Sequence, residues 1–255
     1  MLSTIPFVFR PSRTALAWLP LLGWIMPVAG EPPTLVSATD TPPHAIIDGT
    51  GPGWVTLDED DFVRVNGDEQ TLVWDGTLAR GSGQPIGVTR SVKSFKNFEY
   101  VLWWRHLTDG GNSGTFVWVP MAAMDGLQPG QLPRGGIEIQ MLDHGFTKKW
   151  KADHPDREVF FSTNGDVFPV GESTMTPFEP LSPNGQRSFP SEERTHGHGV
   201  WNHYYVRAIN GEVRLWINGR EVSGGRDCRP SEGHLCLESE GAPIEFRDIR
   251  VRELP

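Results

Sequence analysis

The sequence predicts an all-β protein, a β-sandwich or jelly roll of two antiparallel sheets. The chain of 255 residues contains 29 glycines and 22 prolines, and these residues separate short runs with strand-like patterning. No segment shows the apolar period of a long amphipathic helix. Many short strands joined by Gly- and Pro-rich turns bury their apolar faces most readily when two sheets pack together.

The predicted strands follow one another from Trp54 onward. Asn210-Gly211 joins two of them and Asn218-Gly219 follows the second, which predicts tight hairpins because type I′ turns need positive φ angles. The strands are predicted at residues 71–74, 98–106, 114–119, from 137 onward, 159–162, 202–208, 212–217, 220–222 and 244–251.

Residues 165–198 form a long Pro-, Gly- and Ser-rich insertion between two predicted strands. Loops of this length in a compact β domain are often functional, but a flexible surface insertion has the same composition. The pattern leaves both interpretations open. His196-Gly-His198 within it has the residue types of a metal site, although an exposed loop pair is the simpler interpretation.

The first 30 residues resemble a secretory signal peptide. Arg10 and Arg13 precede an apolar stretch at 14–26, and Val28-Ala29-Gly30 supplies small residues for cleavage. The apolar stretch is short and broken by proline, so an uncleaved anchor is the less favoured alternative. We therefore predict an exported protein, periplasmic or secreted, without a membrane span after cleavage. A flexible leader at 31–52 is expected to precede a domain at 53–255.

The charge of the chain argues against a polyanionic partner. The formal net charge is −9, and removal of the predicted signal takes away two arginines and no acids. Such a protein is a poor nucleic-acid binder and is suited to neutral substrates. The two cysteines, Cys228 and Cys236, are expected to form a disulfide in an exported protein, with two free thiols as the alternative.

Residues 135–143 carry the clearest functional pattern. Glu138 and Gln140 alternate with apolar residues, so one face of this strand is apolar and the other holds a carboxylate and an amide. Asp143 follows and is out of phase with them, so it must reach the same face from the strand's end or through a bulge. Such a row suits a sugar cleft, and two nearby carboxylates suit acid/base work. The alternative is a half-exposed strand whose polar face meets water.

Tryptophans and cations on neighbouring strands extend this pattern. Trp104 and His106 share one face of the strand at 98–106, and Trp103 and Arg105 share the other, so one of the two tryptophans is expected in the core. Trp103, Trp104, Trp118, Trp150 and Trp201 lie near the polar strands and are candidates for stacking on sugar rings, with core packing as the alternative. Arg105 and Lys93 are each either a ligand for substrate oxygens or an ordinary surface charge.

Several segments together resemble one family. They are Ser91-Val-Lys-Ser-Phe-Lys-Asn-Phe-Glu, Trp104-Arg105, Gly111-Asn-Ser-Gly, Gly136-Ile-Glu-Ile-Gln-Met-Leu-Asp, Trp201-Asn202, Leu215-Trp-Ile-Asn-Gly and residues 233–250. Their order resembles the bacterial exported domain family named for 3-keto-disaccharide hydrolase, or 3-keto-α-glucoside 1,2-lyase/3-keto-2-hydroxyglucal hydratase, activity. The resemblance spans about residues 54–254 and implies a concanavalin A-like β-sandwich.

The resemblance also implies a set of cleft residues. Trp118 departs from the family pattern, which has an arginine shortly after Asn-Ser-Gly. The implied catalytic residues are Glu138, Asp143, Lys93 and Arg105, and the implied substrate-binding residues are Gln140, Asn112, Trp118, Asn202 and Trp104.

The implied reaction is the cleavage of a 3-keto-glycoside. Glu138 or Asp143 would remove the proton on C2, and Lys93 or Arg105 would stabilise the enolate before the C1 substituent leaves. Water addition would complete a net hydrolysis. No cofactor is firmly implied, although a divalent metal is compatible with this chemistry. Direct hydrolysis by two carboxylates and a non-catalytic carbohydrate-binding or laminin-G-like module are the alternatives.

Overall fold

The computed structural model describes residues 45–163 and 165–255, which form two packed antiparallel sheets. This confirms the predicted β-sandwich. The predicted signal peptide at 1–30 and most of the predicted leader at 31–52 lie outside the described residues. The end of that leader contacts the sandwich, because the Asp48 carbonyl accepts a 2.7 Å hydrogen bond from Arg250 Nη1.

The strands are numbered in chain order. They are β1 (Val55–Thr56), β2 (Phe62–Arg64), β3 (Leu72–Asp75), β4 (Leu78–Gly81), β5 (Gly87–Phe95), β6 (Phe98–His106), β7 (Gly114–Val119), β8 (Ile137–Gln140), β9 (Val167–Pro169), β10 (Thr174–Pro177), β11 (Asn202–Ile209), β12 (Glu212–Ile217), β13 (Arg220–Arg229), β14 (Gly233–Ser239) and β15 (Ile244–Glu253).

The larger sheet has the order β10-β13-β12-β11-β6-β15-β4-β3, and β1 also pairs with β15. The smaller sheet has the order β2-β5-β14-β7-β8-β9. One α-helix, α1 (Phe146–Asp153), follows β8, and short 3₁₀ helices occur at Glu59–Asp61 and Met121–Ala123. Within the described part of the chain, no helix has the length and hydropathy needed to span a bilayer.

The structure corrects the predicted elements in several places. Five strands, β1, β2, β4, β5 and β14, lie in segments that the strand prediction leaves out. The predicted strand at 159–162 is wrong, because Phe160 and Phe161 pack against Trp150 of α1 instead of pairing with a strand. The insertion at 165–198 contains β9 and β10, which extend the smaller and the larger sheet respectively.

Two tryptophans that were predicted to bind substrate lie in the core between the sheets. Trp104 is 2% exposed and Trp118 is fully buried, and both belong to the apolar cluster between the sheets. Trp118 Nε1 donates a 2.8 Å hydrogen bond to the Lys96 carbonyl. These contacts contradict the predicted substrate-binding role of both residues, because a large apolar ring between two sheets is packing, not a cleft wall.

The two cysteines are free thiols on different sheets, so the predicted disulfide is wrong. Cys228 lies on β13 and faces the core between the sheets. Cys236 lies on β14 in a second apolar cluster, with its Sγ 3.8 Å from Met124 Sδ. Strand alternation places Cys236 on the outer face of its sheet, because the neighbouring Leu235 and Leu237 fill the core.

Asp143 ties three loops together beyond the end of β8. Its carboxylate accepts backbone N–H bonds from Gly110 at 2.8 Å, Gly145 at 2.9 Å and His198 at 2.7 Å. Burial alone would raise the pKa of Asp143, but these three hydrogen bonds outweigh it and lower the pKa below its ordinary value of 3.8. Asp143 is therefore a structural carboxylate that joins the β6–β7 loop, the start of α1 and the loop before β11.

The free thiols predict that reductant has no effect on stability. Thermal melts with and without a thiol reductant are expected to give the same Tm, because no bond between Cys228 and Cys236 exists to be cleaved. Titration with a thiol reagent in denaturant is expected to find both thiols reactive before any reduction. A Tm that falls on reduction would contradict this placement of the two cysteines.

Replacement of Asp143 by alanine is expected to destabilise the fold. The change leaves three backbone N–H groups without their acceptor, which lowers the free energy of unfolding by about 2–4 kcal/mol at neutral pH. A depressed pKa contributes stability above the unfolded-state value and loses it as the pH falls through the folded-state value. Denaturant melts should therefore show the difference shrinking in acid.

The exposed Asp156 supplies the control, since Asp156→Ala removes a carboxylate of the same charge from the surface. It is expected to leave the free energy of unfolding within about 0.5 kcal/mol of wild type. Equal destabilisation by the two variants would rule out the loop-tying role of Asp143.

Candidate functional site

The candidate site lies on the outer face of the smaller sheet. Strand pairing sets Phe116, Glu138 and Phe168 side by side across β7, β8 and β9. In the adjacent row, Gln140 of β8 pairs with Gly114 of β7. Strand β14 pairs with β7 on the opposite side from β8, and because Leu237 pairs with Thr115, Glu238 lies beside Gly114. The alternate residues of these strands fill the core, so the polar side chains all point away from it.

The cleft has two lobes. One is a cavity of about 290 Å³ lined by Glu138, Phe160, Phe168 and Arg187, among others. The second is a cavity of about 150 Å³ that contains Asn112 and Gln140 and shares Phe160 and Arg187 with the first. Phe160 comes from the segment between α1 and β9 and Arg187 from the insertion after β10, so these two segments together cover the outer face of the sheet.

Glu138 is the carboxyl that reaches the larger lobe. It is 8% exposed, and the Gln140 amide, oriented so that its nitrogen faces acceptors, donates to Glu138 Oε1 at 2.6 Å and to the Ser113 carbonyl at 3.1 Å. Burial raises the pKa of Glu138 to about 8; the nearby Arg187 charge opposes this shift, and Glu240 and other acids add to it. A carboxyl with this pKa exchanges protons near neutral pH.

Two further acids lie beneath the cleft. Glu238 is fully buried, and neither of its carboxyl oxygens has a hydrogen-bond partner among the described residues. Burial, together with the Glu138 and Glu240 carboxyls, raises the pKa of Glu238 well above its ordinary value. Asn112 Nδ2 donates a 2.6 Å hydrogen bond to Glu240 Oε2, and burial raises the pKa of Glu240.

Arg187 supplies the positive charge in the cleft. Its guanidinium lies 3.5 Å from the ring centre of Phe168 and 5.2 Å from that of Phe160, and Nη1 lies 3.5 Å from Asp166 Oδ2. Burial lowers the pKa of Arg187, while Asp166 and Glu138 act in the opposite direction. Burial also raises the pKa of Asp166 to about 6, against hydrogen bonds from Ser162 and the charge of Arg187.

Aromatic side chains line the smaller lobe. Trp150 of α1 lies 5.9 Å from Phe160 and 5.4 Å from Phe161 between ring centres, in edge-to-face geometry, and Phe161 lies 5.4 Å from Phe146. Trp150 and Phe160 are partly exposed to the cavity. Aromatic faces beside amide groups are the surfaces on which sugar rings stack and hydrogen-bond.

One group of side chains in the described residues has donors close enough for a metal ion. Asp109, Asp143 and His198 bring one donor atom each within 4.8 Å of the others. The Asp143 oxygens already accept three backbone N–H groups, and the other two side chains are exposed. None of the three lines either lobe of the cleft.

The structure brings together three of the predicted site residues and separates the other six. Glu138, Gln140 and Asn112 share the cleft. Lys93 is exposed and forms an ion pair with Glu253 of β15. Arg105 lies on the outer face of the larger sheet, on the opposite side of the sandwich, where its Nη2 lies 2.7 Å from Glu245 Oε2.

The remaining predicted residues also have structural roles. Asn202 accepts the His196 N–H at 2.7 Å and donates back to the His196 carbonyl at 3.1 Å, which holds the loop before β11. Asp143 is held in the loop junction described above, and Trp104 and Trp118 are in the core. Strand periodicity shows which residues share a strand face but not which sheet the strand joins, so it could not separate Arg105 of the larger sheet from Glu138 of the smaller sheet.

Several cleft residues were missed. Glu238 and Glu240 follow the strand alternation of β14, the same signal that marks Glu138. Arg187 and Asp166 lie in the insertion, whose length is itself a functional signal, but no local pattern singles them out. The same holds for Phe160 and Phe168, whose positions depend on how the insertion and the segment before it fold over the sheet. Trp150 was not missed, since it is one of the tryptophans predicted to stack on sugar rings.

Comparison with solved structures shows the same fold in carbohydrate-related proteins. A Parabacteroides distasonis protein provisionally named as a glycosyl hydrolase is 19% identical, with a TM-score of 0.53 over 80% of this chain and 94% of that one. The carbohydrate-binding module CBM66 from Bacillus subtilis is 15% identical, with a TM-score of 0.50 over 76% of this chain and 96% of that one.

The lumenal domain of VIP36, in a form bound to Ca²⁺ and Man3GlcNAc, is 12% identical, with a TM-score of 0.50 over 80% of this chain and 85% of that one. No curated sequence matches this chain at a significant level. At these identities the structural similarities establish the fold alone.

A family model supplies the more specific relationship, and it covers the strands that build the cleft. The match extends over residues 43–252, which includes Glu138, Gln140, Asn112 and the whole insertion. It confirms the family that the sequence motifs indicate. The chain belongs to the 3-keto-α-glucoside-1,2-lyase-like domain family.

Proposed function

We propose that this protein is a carbohydrate-active enzyme that cleaves 3-keto-glycosides by removal of the C2 proton and β-elimination of the C1 substituent. Family membership supplies the substrate class. The observation that carries the proposal is Glu138, a nearly buried carboxyl at the edge of a cavity with a pKa of about 8. A general base works best when its pKa lies near the operating pH.

The chemistry of a 3-keto sugar explains why one such base suffices. The C3 carbonyl acidifies the C2–H bond, and Glu138 takes the proton while the bonding pair forms the C2–C3 double bond of an enolate. The enolate pair then forms the C1–C2 double bond, and the C1–oxygen bond breaks with its electrons on the leaving oxygen. Protonated Glu138 is then an acid in the same lobe, available to that oxygen.

Arg187 is the group we assign to the enolate oxygen. It borders both lobes, and its guanidinium is held by Phe168 and Asp166. A preorganised cation in a dry cleft stabilises developing negative charge more strongly than water does. Gln140 and Asn112 line the smaller lobe, where their amides are suited to orient sugar hydroxyls.

Water addition to the unsaturated product would complete a net hydrolysis. A proton returns to C2 and hydroxide adds to C1, so the lyase and hydratase steps use one cleft. Direct hydrolysis by two carboxylates of opposite roles is less well supported, because the cleft acids are buried side by side and their pKa values are raised together.

We also propose that the protein is exported, from the signal-like pattern of residues 1–30. Two arginines, an apolar stretch and a small-residue cleavage site have this order in secretory signals. N-terminal sequencing of protein recovered from outside the cytoplasm would test the assignment. A start within residues 27–35 supports it, and recovery of the intact chain in the cytoplasm alone contradicts it.

Replacement of Glu138 by glutamine is expected to lower the turnover of a 3-keto-glucoside by about 10²- to 10⁴-fold, the usual contribution of a general base. The measurement follows aglycone release and the C2 proton by NMR in deuterated water. Wild type is expected to cleave the 3-keto-glucoside and not the parent glucoside, with deuterium entering at C2. The surface variant Glu158→Gln is the control, with unchanged turnover.

The folded state of the variant can be checked by its Tm at pH 8. A raised pKa means that Glu138 contributes stability at low pH and loses it as the pH rises through about 8. Because glutamine does not ionise, Glu138→Gln is expected to melt no lower than wild type there. Equal cleavage of both glucosides without exchange at C2 would overturn the elimination, and sugar binding without turnover would instead indicate a binding module.

The pH dependence of catalysis gives a second test of Glu138. The kcat/KM for a 3-keto-glucoside is expected to rise with pH through a midpoint near pH 8 and to level off only above it, because the ionised carboxylate is the base. Arg187→Met is expected to move this midpoint upward, since the positive charge opposes the raised pKa of Glu138. If the midpoint of the pH–rate profile is the same in Arg187→Met as in wild type, the rise of kcat/KM with pH reports the ionisation of a group other than Glu138.

A further inference from the structure

Glu238 is the feature that the proposed reaction leaves unused. It is fully buried on the outer face of β14, and neither carboxyl oxygen has a hydrogen-bond partner among the described residues. A buried carboxylate without donors is strongly disfavoured, because nothing replaces the water it loses. The carboxyl is therefore expected to keep its proton, and the O–H of a neutral carboxyl requires an acceptor.

Both the Glu238 and the Glu138 carboxyl groups border the space beside Gly114. A β-carbon on residue 114 would lie 2.8 Å from Glu238 Oε2 and 3.1 Å from Glu138 Oε1. The absence of a side chain thus leaves one space into which both carboxyl groups extend, from the strands on either side of β7. The space is closed below by the sheet, and Glu138 alone of the pair continues into the larger lobe.

We propose that Glu238 remains protonated at and above neutral pH and donates its proton in a hydrogen bond to Glu138 across Gly114. Glu238 is then a positioning residue: it holds the Glu138 carboxylate toward the cleft and stabilises its ionised form. The pair carries a single negative charge when Glu138 is ionised. This role in catalysis rests on the proposed function, but the location of the proton does not.

The surroundings of the pair are consistent with one charge and not two. Glu138 faces Gln140 on its own strand and Arg187 and Asp166 of the insertion. It also faces Glu240, which follows β14 and is hydrogen-bonded to Asn112 of the β6–β7 loop. Arg187 already pairs with Asp166. A second carboxylate at Glu238 would add repulsion from Glu138 and Glu240 without a cation of its own.

Two matched variants separate the protonated state from the ionised one. Glu238→Gln keeps a neutral donor of the same size, and Glu238→Leu keeps the size but removes the donor. The pKa of Glu138 is measured by NMR on ¹³C-labelled glutamate carboxyls, with Glu138→Gln to assign the signal. We expect the pKa to stay in place in Glu238→Gln and to shift upward in Glu238→Leu, because the charged form of Glu138 loses a hydrogen bond.

If Glu238 were ionised, its replacement would shift the pKa of Glu138 in the opposite direction. Removal of a negative charge would lower the pKa of Glu138 in both variants, and this result would overturn the proposal. An unchanged pKa in Glu238→Leu would also overturn it, since the hydrogen bond would then have no effect. Both variants are first checked for a cooperative melt, and the leucine variant has no new buried polar group that would prevent folding.

Infrared spectroscopy tests the proton directly and without substrate. One pH unit above the ionisation of Glu138, wild type is expected to show a carboxylic acid C=O band that is absent in Glu238→Gln. The absence of that band in wild type overturns the proposal, and a band that appears only after treatment with a chelator indicates a bound cation in place of the proton. If the band is present and no 3-keto-glycoside is cleaved, the proton assignment stands and the proposed function fails.

In an active enzyme the same variants give a kinetic signature. The acid limb of the kcat/KM profile is expected to keep its midpoint in Glu238→Gln and to move to higher pH in Glu238→Leu. A merely structural role would lower kcat without moving the midpoint. A neutral hydrogen-bond donor at position 238 predicts that the wild-type midpoint is kept in Glu238→Gln and lost in Glu238→Leu.

Discussion

The alternation of side chains across the smaller sheet is the constraint on which the site depends. Ile137 and Ile139 of β8 and Leu235 and Leu237 of β14 must fill the core between the sheets. Since successive side chains point to opposite faces, Glu138, Gln140 and Glu238 are forced onto the outer face of the same sheet. The acids gather there because the core requires their neighbours, and a change of register by one residue would bury them between the sheets.

The insertion converts this polar sheet face into a cleft. An uncovered row of carboxyls would be hydrated and would titrate at ordinary pH. Phe168 and Arg187 of the insertion, together with Phe160 just before it, cover the row instead, so the acids lose water and gain a nearby guanidinium. Their raised pKa values therefore come from the covering segment as much as from the sheet, and the chemistry of the site is a property of the two together.

The sequence predicted the sandwich, most central strands and three members of the cleft, because these depend on local periodicity. Strands β6, β7 and β12 have the predicted bounds, since each is a clear apolar run between turn residues. The placement of Arg105 outside the cleft could not be predicted, for a different reason. Arg105 has the same strand pattern as Glu138, but it belongs to the opposite sheet, and pairing between distant strands leaves no mark on either segment. The disulfide failed likewise, because eight residues of separation say nothing about which sheet faces the two cysteines enter.

The two strands of the insertion have a consequence for the solubility of the protein. β9 pairs with the outer edge of β8 and β10 with the outer edge of β13, so one excursion of the chain covers an edge of each sheet. A long uncovered edge offers unpaired backbone groups to another chain and favours edge-to-edge aggregation, whereas β9 and β10, which become the new edges, are only three and four residues long. The segment that supplies Arg187 to the cleft therefore also protects the sandwich from self-association, and a shortened insertion would lose the site and the protection together.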